Sequence, residues 1–457
     1  MNETAILQHV LATIKPDQYE QQRMHKVADN IISLIEQTAT RHGLSDVEAI
    51  LVGSAARGTW ISDEHDLDIF ISFPEDYTDD DLKTMGLMIA REVAKRADNF
   101  IERYAEHPYI HAFFRDFEVD LVPCFRVNSV AQMRSAVDRT PFHNRFVLSR
   151  IHGLEDDVVL LKQFMKACRV YGSDLKTGGF SGYLAELLVI QYGSFKAVLK
   201  ASDNWKPGMT IDISGHGSCK HTQVLIMVDP TDPARNVAAA LTMDKFALFI
   251  DAAREYLGSP TIEQFFPAPA PALSDHEFIK ILSKRGMLMV AVVFNKPDVV
   301  DDVLYPQLFV LHKSIRDLVE RNEFCVYSGG VWAGETEAVV VLEFQVGILP
   351  PVKKHRGPPV WAKQHVTIFK KKYHQNKDYS HVYIENGRYV VDIHRKYTNA
   401  ADLIRHEIHT CKLGKNIGES IRSGFTILHD DQLLRIKHTG FREFLRGFCG
   451  YSLQQTL

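Results

Sequence analysis

The sequence predicts a multidomain α+β protein with a mixed-sheet domain over residues 1–137, a mainly helical central domain over 138–264 and an α+β C-terminal region over 265–457. Three observations carry this. Short apolar runs with acids at alternate positions mark strands in the first part. Helical periodicity dominates from Asp138 to Leu257, with little strand signal apart from Val224–Val228. The run FFPAPAPA from Phe265 to Ala272 reads as a stiff, extended linker and the clearest boundary. At 457 residues the chain is also too long for one core.

Composition narrows the class. The chain is 45% hydrophobic and 24% charged with a net charge of -4, as in ordinary soluble globular proteins. That weak acidity excludes a uniformly basic nucleic-acid coat, so any such surface is local. The six cysteines, Cys124, Cys168, Cys219, Cys325, Cys411 and Cys449, show no zinc spacing and suit reduced thiols. No signal-peptide pattern opens the chain and no apolar run is long enough for a bilayer, so a soluble, cytoplasmic protein without a membrane partner is expected.

Taken in order, Gln22–Thr40 carries apolar residues at helical spacing, from Met24 to Ile35. Val47–Val52 is an apolar strand leading into a small-residue turn with Gly53, Ser54 and Arg57. A second strand opens at Asp66. Thr78 with Asp79, Asp80 and Asp81 suits the start of a helix running to about Lys95. Strands Ile110–Phe114 and Phe117–Val122 flank a tight turn at Arg115-Asp116. Helices are expected over Val158–Val170, Ser181–Leu199, Arg235–Leu257 and Gln307–Glu320. Met287–Phe294, Glu337–Val346 and Tyr389–His394 read as strands.

The chemistry centres on Leu51–Phe73. In a strand, residues two apart share a face, so Asp66 and Asp68 lie together while Leu67, Ile69 and Ile71 point the other way. Paired carboxylates on an apolar, central strand repel and call for a cation, and magnesium is the usual one. The Gly-Ser turn offers donors for a phosphate. Asp120, within the Phe117–Val122 strand, supplies a third acid, and three carboxylates on neighbouring strands are able to hold two metal ions. Asp63 and Glu64 are rivals, but they fall in the loop and look solvated.

Gly53-Ser54, Arg57, Thr59-Trp60, Asp66-x-Asp68 and Asp120 together resemble the nucleotidyltransferase superfamily that includes DNA polymerase β and the poly(A) polymerases. Longer stretches resemble the archaeal, class I CCA-adding enzymes: RYAEHPY (Arg103–Tyr109), VDLVPC (Val119–Cys124), SAVDRTPFH (Ser135–His143), GFSGYL (Gly179–Leu184), Asp229-Pro230, RNVAA (Arg235–Ala239) and LGKNIGESI (Leu413–Ile421). The resemblance runs nearly the whole length. It implies a polymerase β-like palm, a nucleotide-binding helical domain, and a C-terminal body and tail that hold tRNA.

The resemblance also implies roles. Asp66, Asp68 and Asp120 match the catalytic metal-binding carboxylates, with two Mg2+ ions; many relatives carry Glu at the first position, and Asp66 shortens the reach by one methylene. Ser54 and Arg57 match residues that hold the triphosphate of CTP or ATP. His143, Lys162 and Tyr171 match further nucleotide-binding positions, and Arg235 matches an arginine that reads the base edge. On their own residues these four have ordinary readings: a helix-start cap for His143, a snorkelling surface charge for Lys162, packing near Gly172 for Tyr171, and a pair with Asp232 for Arg235. Pro350–Lys377 holds no acid and interleaves Lys353, Lys354, Arg356, Lys363, Lys370, Lys371, Lys372 and Lys377 with Trp361, Phe369 and Tyr373. An ordinary surface loop or a disordered arm is one reading of it, and its lack of acids in a net acidic chain favours a phosphate-backbone track, with Lys415 and Asn416 opening a further RNA-facing helix. The implied activity is template-independent addition of the 3′-terminal CCA to tRNA, engaging its acceptor end and upper half, with a homodimer suggested. A poly(A) polymerase or oligoadenylate synthetase, or a non-catalytic RNA-binding module on the same fold, are the competing readings.

Overall fold

The computed structural model describes residues 2–104, 108–217, 221–269, 271–374 and 380–450, with His374 described by its backbone only. Ala105, Glu106 and His107 of the RYAEHPY stretch, Cys219 and Lys377 lie outside the described residues. The chain forms two compact units, Met1–Ala268 and Pro269–Leu457.

In the first unit, strands β1 (Glu48–Val52), β2 (Asp66–Phe73), β3 (Asn99–Tyr104), β4 (Pro108–Phe114) and β5 (Phe117–Phe125) form one sheet in the order β1-β2-β5-β4-β3. The β2–β5 pair is parallel and the others antiparallel. Its register sets Asp66 opposite Glu118 and Asp68 opposite Asp120. Along β2, Leu67, Ile69, Ile71 and Phe73 are buried under the Gln18–Arg41 helix with its Met24, Ala28, Ile31 and Ile35. The acids occupy the alternate positions, on the sheet's other face, as the period of two demands. Asp138, fully buried, fastens the end of β5 by accepting the Phe125 amide (2.8 Å) together with those of Arg134 and Ser135 (3.0 Å each).

The helical part of this unit contains Thr140–Leu148, Glu155–Ala167, Gly182–Tyr192, Phe195–Ser202 and Met243–Gly258. Two expected helices differ. Ser181–Leu199 is broken where Gly193 turns left-handed (φ 86°) and Ser194 caps a new helix by accepting the Ala197 amide. The Arg235–Leu257 helix starts only at Met243, where Thr242 caps it. Arg235–Leu241 is instead a loop, held by the Asn236 side-chain Oδ1 accepting the amides of Met227 and Ala238 (2.9 Å each). A short β6 (Met209–Ile211) pairs in parallel with β7 (Leu225–Met227). The sequence reading missed β3 and the helix Glu3–Ile14, whose Ile6, Val10 and Ile14 join the helical core. Phe265, read as linker, is fully buried in that core, so the extended segment begins after it.

In the second unit, β8 (Leu288–Asn295), β9 (Cys325–Ala333) and β10 (Glu337–Val346) join with Phe425–His429 in an antiparallel sheet, the Phe425–His429 strand lying at the edge beside β8. The Asp301–Arg321 helix covers one face, and Asp275–Arg285 with Thr439–Phe448 the other. The basic segment is neither loop nor arm over its described part. It forms β11 (Val352–Pro359), which pairs with the Arg388–His394 strand, followed by the helix Lys363–His374. Phe369 and Tyr373, interleaved with the basic residues in the sequence, pack with Val391 as a small core; Trp361 alone of the three aromatics is exposed.

Candidate active site

The Gly53–Arg57 segment, expected as a turn, is a five-residue helix that follows β1 directly. Gly53 is left-handed (φ 76°), and a Cβ built there would sit 2.2 Å from Asp68 Oδ2. A glycine is therefore required for the Asp68 carboxylate to rest against bare backbone. Burial raises the Asp68 carboxyl to about 6, and the Asp120 carboxylate adds to the rise. Asp66 is raised as well, first by desolvation, then by Glu118 and Asp120. Asp120 is half-buried, and His111 Nδ1 donates to its Oδ1 at 2.6 Å.

Among the described residues no three His, Cys, Asp or Glu side chains are already gathered around one point as a metal cage. The donor set nevertheless fits a divalent cation. Asp120, in register with Asp68 on the adjacent strand, raises the proton affinity of Asp68, and Gly53 leaves space where a side chain would crowd it. Of the two rivals, Asp63 is exposed and left-handed (φ 67°), while Glu64 pairs with Lys166 and is not simply solvated.

Beside the acids stands a buried cationic cluster. Arg57 donates through Nε to Glu186 Oε1 (2.9 Å) and through Nη1 to Asn144 Oδ1 (3.0 Å). Lys162 is no snorkelling charge: it is 3% exposed, and its Nζ donates to the Thr59 carbonyl at 2.8 Å. Burial pushes its ammonium down to about 8 against the pull of Glu186. Burial also works to raise Glu186, but the charges of Arg57 and Lys162 outweigh it and hold the carboxyl below its usual range. The Tyr171 hydroxyl lies 2.9 Å from where a Cβ on Gly182 would stand, so glycine at 182 leaves it room. Ser54 sits half-buried in the short helix.

His143 makes no local cap. Its Nε2 donates to Asp229 Oδ2 at 2.8 Å, and its ring stacks on Tyr183 with centroids 4.1 Å apart. Burial lowers its basicity despite that carboxylate. Arg235 pairs through Nη1 with Asp229 (2.9 Å), whereas Asp232 takes Arg139 (3.0 Å). Burial alone would raise fully buried Asp229, yet hydrogen bonds from His143, Thr231 and Arg235 hold it far below the carboxylate range. These groups border a cavity of about 760 Å³ lined by Arg139, His143, Ser181, Tyr183 and Arg235.

The structure thus joins Asp66, Asp68 and Asp120 on one sheet face, Arg57 with Lys162, and His143 with Arg235. The sequence reading gave no role to Glu186, Asp229, Asn144, Tyr183 or His111. A signal existed for Glu186, a lone acid in the apolar run Leu184–Val189.

Among the RNA-facing residues proposed from sequence, Lys354, Arg356, Lys370, Lys371, Lys372 and Lys415 are exposed, and Lys353 is half-buried. Lys354 is paired with Glu385 (2.6 Å), and Lys370 lies over the Tyr389 ring. Asn416 is engaged with Gln307, which donates to its Oδ1 at 3.0 Å and accepts its amide. That contact anchors the Lys415–Ser423 helix within its own unit.

Carboxylates short of a cation and guanidinium and ammonium groups in excess over their carboxylate suit a metal-bound nucleoside triphosphate. The nucleotidyltransferase domain family matches residues 31–143, which carry β2 and β5, so the sheet part of the first unit is a nucleotidyltransferase domain. The second domain of tRNA nucleotidyltransferases matches residues 156–266, and the C-terminal domain of CCA-adding enzymes matches residues 285–430. A CCA-adding enzyme of Methanosarcina mazei is 51% identical over 437 residues, 96% of each chain. Those of Methanothermobacter thermautotrophicus and Archaeoglobus fulgidus are 39% and 36% identical, covering 96% and 94% of this chain and 97% and 95% of their own. The chain belongs to the CCA-adding enzyme family.

Proposed function

We propose that this chain builds or repairs the 3′-terminal CCA of tRNA, using CTP and ATP without a nucleic-acid template. The observation that carries this reading is the near full-length similarity to CCA-adding enzymes, 51% over 96% of the chain for one of them. The tRNA 3′-hydroxyl attacks the α-phosphorus, giving up its proton beside Asp120. A new phosphodiester bond forms, the bond to the β-phosphate breaks, and pyrophosphate leaves. Asp66, Asp68 and Asp120 would hold divalent metal, two Mg2+ ions by resemblance, which when bound would neutralise charge on the triphosphate and the attacking oxygen. Ser54, Arg57 and Lys162 hold the nucleotide's phosphates. His143, Tyr171 and Arg235 bind the rest of it, and Arg235 offers fixed donors to the acceptor that C and A both present beside an exocyclic amine. The carboxylate register on β2 and β5 and the buried cations support these assignments.

The basic residues of β11 and the helix after it, with Lys415, are read as the track for the upper half of tRNA; Asn416 contributes by fixing its helix. The chain is read as three domains, 1–137, 138–264 and 265–457, beside family matches at 31–143, 156–266 and 285–430, the first of which runs six residues past its boundary. The resemblance supports a homodimer, which sedimentation measures directly. Among the described residues no helix is long and apolar enough to cross a membrane, and a tRNA substrate supports a cytoplasmic place of action.

The test is addition to tRNA lacking its last three nucleotides, with CTP, ATP and UTP supplied separately and together. CTP alone should add two residues and stop, and CTP with ATP should complete CCA. Long runs of A would favour a poly(A) polymerase. Asp68→Ala and Asp120→Ala should abolish addition while tRNA still binds; labelled CTP incorporated by either would remove the carboxylate assignment.

A further inference from the structure

Glu186 is fully buried, projecting from the Gly182–Tyr192 helix toward the sheet part of the same unit. Its Oε1 accepts from Arg57 Nε (2.9 Å) and from the buried Thr59 hydroxyl (2.6 Å). The Thr59 carbonyl in turn accepts from Lys162 Nζ (2.8 Å). One carboxylate therefore bonds one buried cation, Arg57, directly and is linked through Thr59 to the other, Lys162, which the sequence places 105 residues away.

The balance of this cluster is informative. Within the hydrogen-bonded cluster two cations meet one carboxylate, an excess of one positive charge in buried surroundings on which the Asp68 carboxylate, outside these hydrogen bonds, also acts. Glu186 Oε2 is buried without a hydrogen-bond partner among the described residues. A network serving stability alone would satisfy this oxygen. An anionic ligand arriving at Arg57 and Lys162 would balance the charge.

We propose that Glu186 is a positioning residue: its carboxylate holds Arg57 and Lys162 in place for the nucleotide's triphosphate before the nucleotide arrives. The proposal rests on the reading of Arg57 and Lys162 as phosphate-binding. Without Glu186 the two cations repel each other without that carboxylate to offset them, and the Arg57 fork, a planar donor array on a flexible stem, keeps the Asn144 bond among the described residues to orient it. Preorganised donors contribute to catalysis because no reorganisation is needed at the moment of reaction. Since the cluster bears on phosphate and not on the base, CTP and ATP should be affected alike.

The experiment compares Glu186→Asp, Glu186→Gln and Arg57→Ala in steady-state addition, measuring KM for CTP, ATP and tRNA, with kcat. Glu186→Asp keeps the buried charge, so it preserves the charge balance of the fold even where Glu186→Gln does not, while it shortens the reach by one methylene. Both variants should raise KM for CTP and for ATP about tenfold in parallel and leave KM for tRNA within about twofold. Equilibrium CTP binding without tRNA should weaken by the same factor. If Arg57→Ala raises the nucleotide KM but neither Glu186 variant does, the positioning role is wrong and the reading of Arg57 stands. If Arg57→Ala also leaves it unchanged, the phosphate role of Arg57 falls and the proposal falls with it. A parallel rise in KM for tRNA would show Glu186 to be merely structural and would equally overturn the proposal.

Discussion

Gly53→Ala isolates the cradle under Asp68. An ideal Cβ at this position lies 2.2 Å from Asp68 Oδ2 and 3.2 Å from its Cγ, whereas real Cβ contacts stay beyond 3.0 Å. The oxygen must therefore retreat by about 1 Å, a displacement that typically costs a reaction on the order of a hundredfold when a catalytic group is moved. The backbone adds a second term. Gly53 has φ 76°, and an L-residue held left-handed costs about 1–2 kcal/mol. Two readouts separate these terms. The urea unfolding midpoint should fall by the equivalent of about 1–2 kcal/mol, because the clashing atom is the end of a side chain that can turn aside. Single-turnover CTP addition should fall about a hundredfold, with tRNA affinity retained. In an Asp68→Ala background the clash is absent, so adding Gly53→Ala should cost only the backbone term. CTP addition by Gly53→Ala within threefold of wild type would refute the argument that this glycine exists to place the Asp68 carboxylate.

Three further outcomes are expected. Lys162 has a folded value of about 8 against an ordinary 10.5, so between these limits the unfolded chain binds more protons and this group's contribution to stability rises with pH. Urea midpoints of wild type and Lys162→Met at pH 8 and 10 should show wild type gaining on the variant, and parallel midpoints would contradict the buried-ammonium reading. In the second unit, Arg285 grips Glu343, which is 1% exposed, through two bonds of 2.6 and 2.7 Å; Arg285→Met should destabilise that unit by about 3 kcal/mol, and Glu343→Leu added to it should recover most of the loss. Neutralising Arg356 and Lys371 together should reduce the salt dependence of tRNA binding by roughly 1.5 in slope, while Lys354→Ala, already paired with Glu385, should change it less; an unchanged slope for the double variant would remove that strand and helix from the RNA track.

The features that local spacing encodes were legible in the chain itself. Alternation put Asp66 and Asp68 on one face of β2 and Leu67, Ile69 and Ile71 on the other, because successive side chains in a strand point to opposite sides. Apolar periodicity found the Gln18–Arg41 and Asp301–Arg321 helices to within a few residues at most ends. Helix breaks were harder: Gly193 divides a run whose apolar pattern continues, and the apolar residues of Val237–Leu241 imitate a helix while Asn236 ties that segment into a loop. Aromatics among lysines looked like a nucleic-acid surface, since a ring that packs on its own sheet has the same letter as one that stacks on a base.

What the sequence determined by itself was the kind of chemistry: acids in register awaiting a cation, family stretches spanning the chain, and a basic segment free of acids. What only the tertiary structure decided was which distant groups complete each charge. Arg57 meets Glu186 across 129 residues, and His143 meets Asp229 across 86. A buried charge is stable only beside a partner, and that partner is chosen by how helices and sheet pack, which no local period records. The neighbours of Asp68 follow the same rule. The pair was readable from its spacing, whereas its glycine cradle and its approach to Asp120 arose from the pairing of β2 with β5.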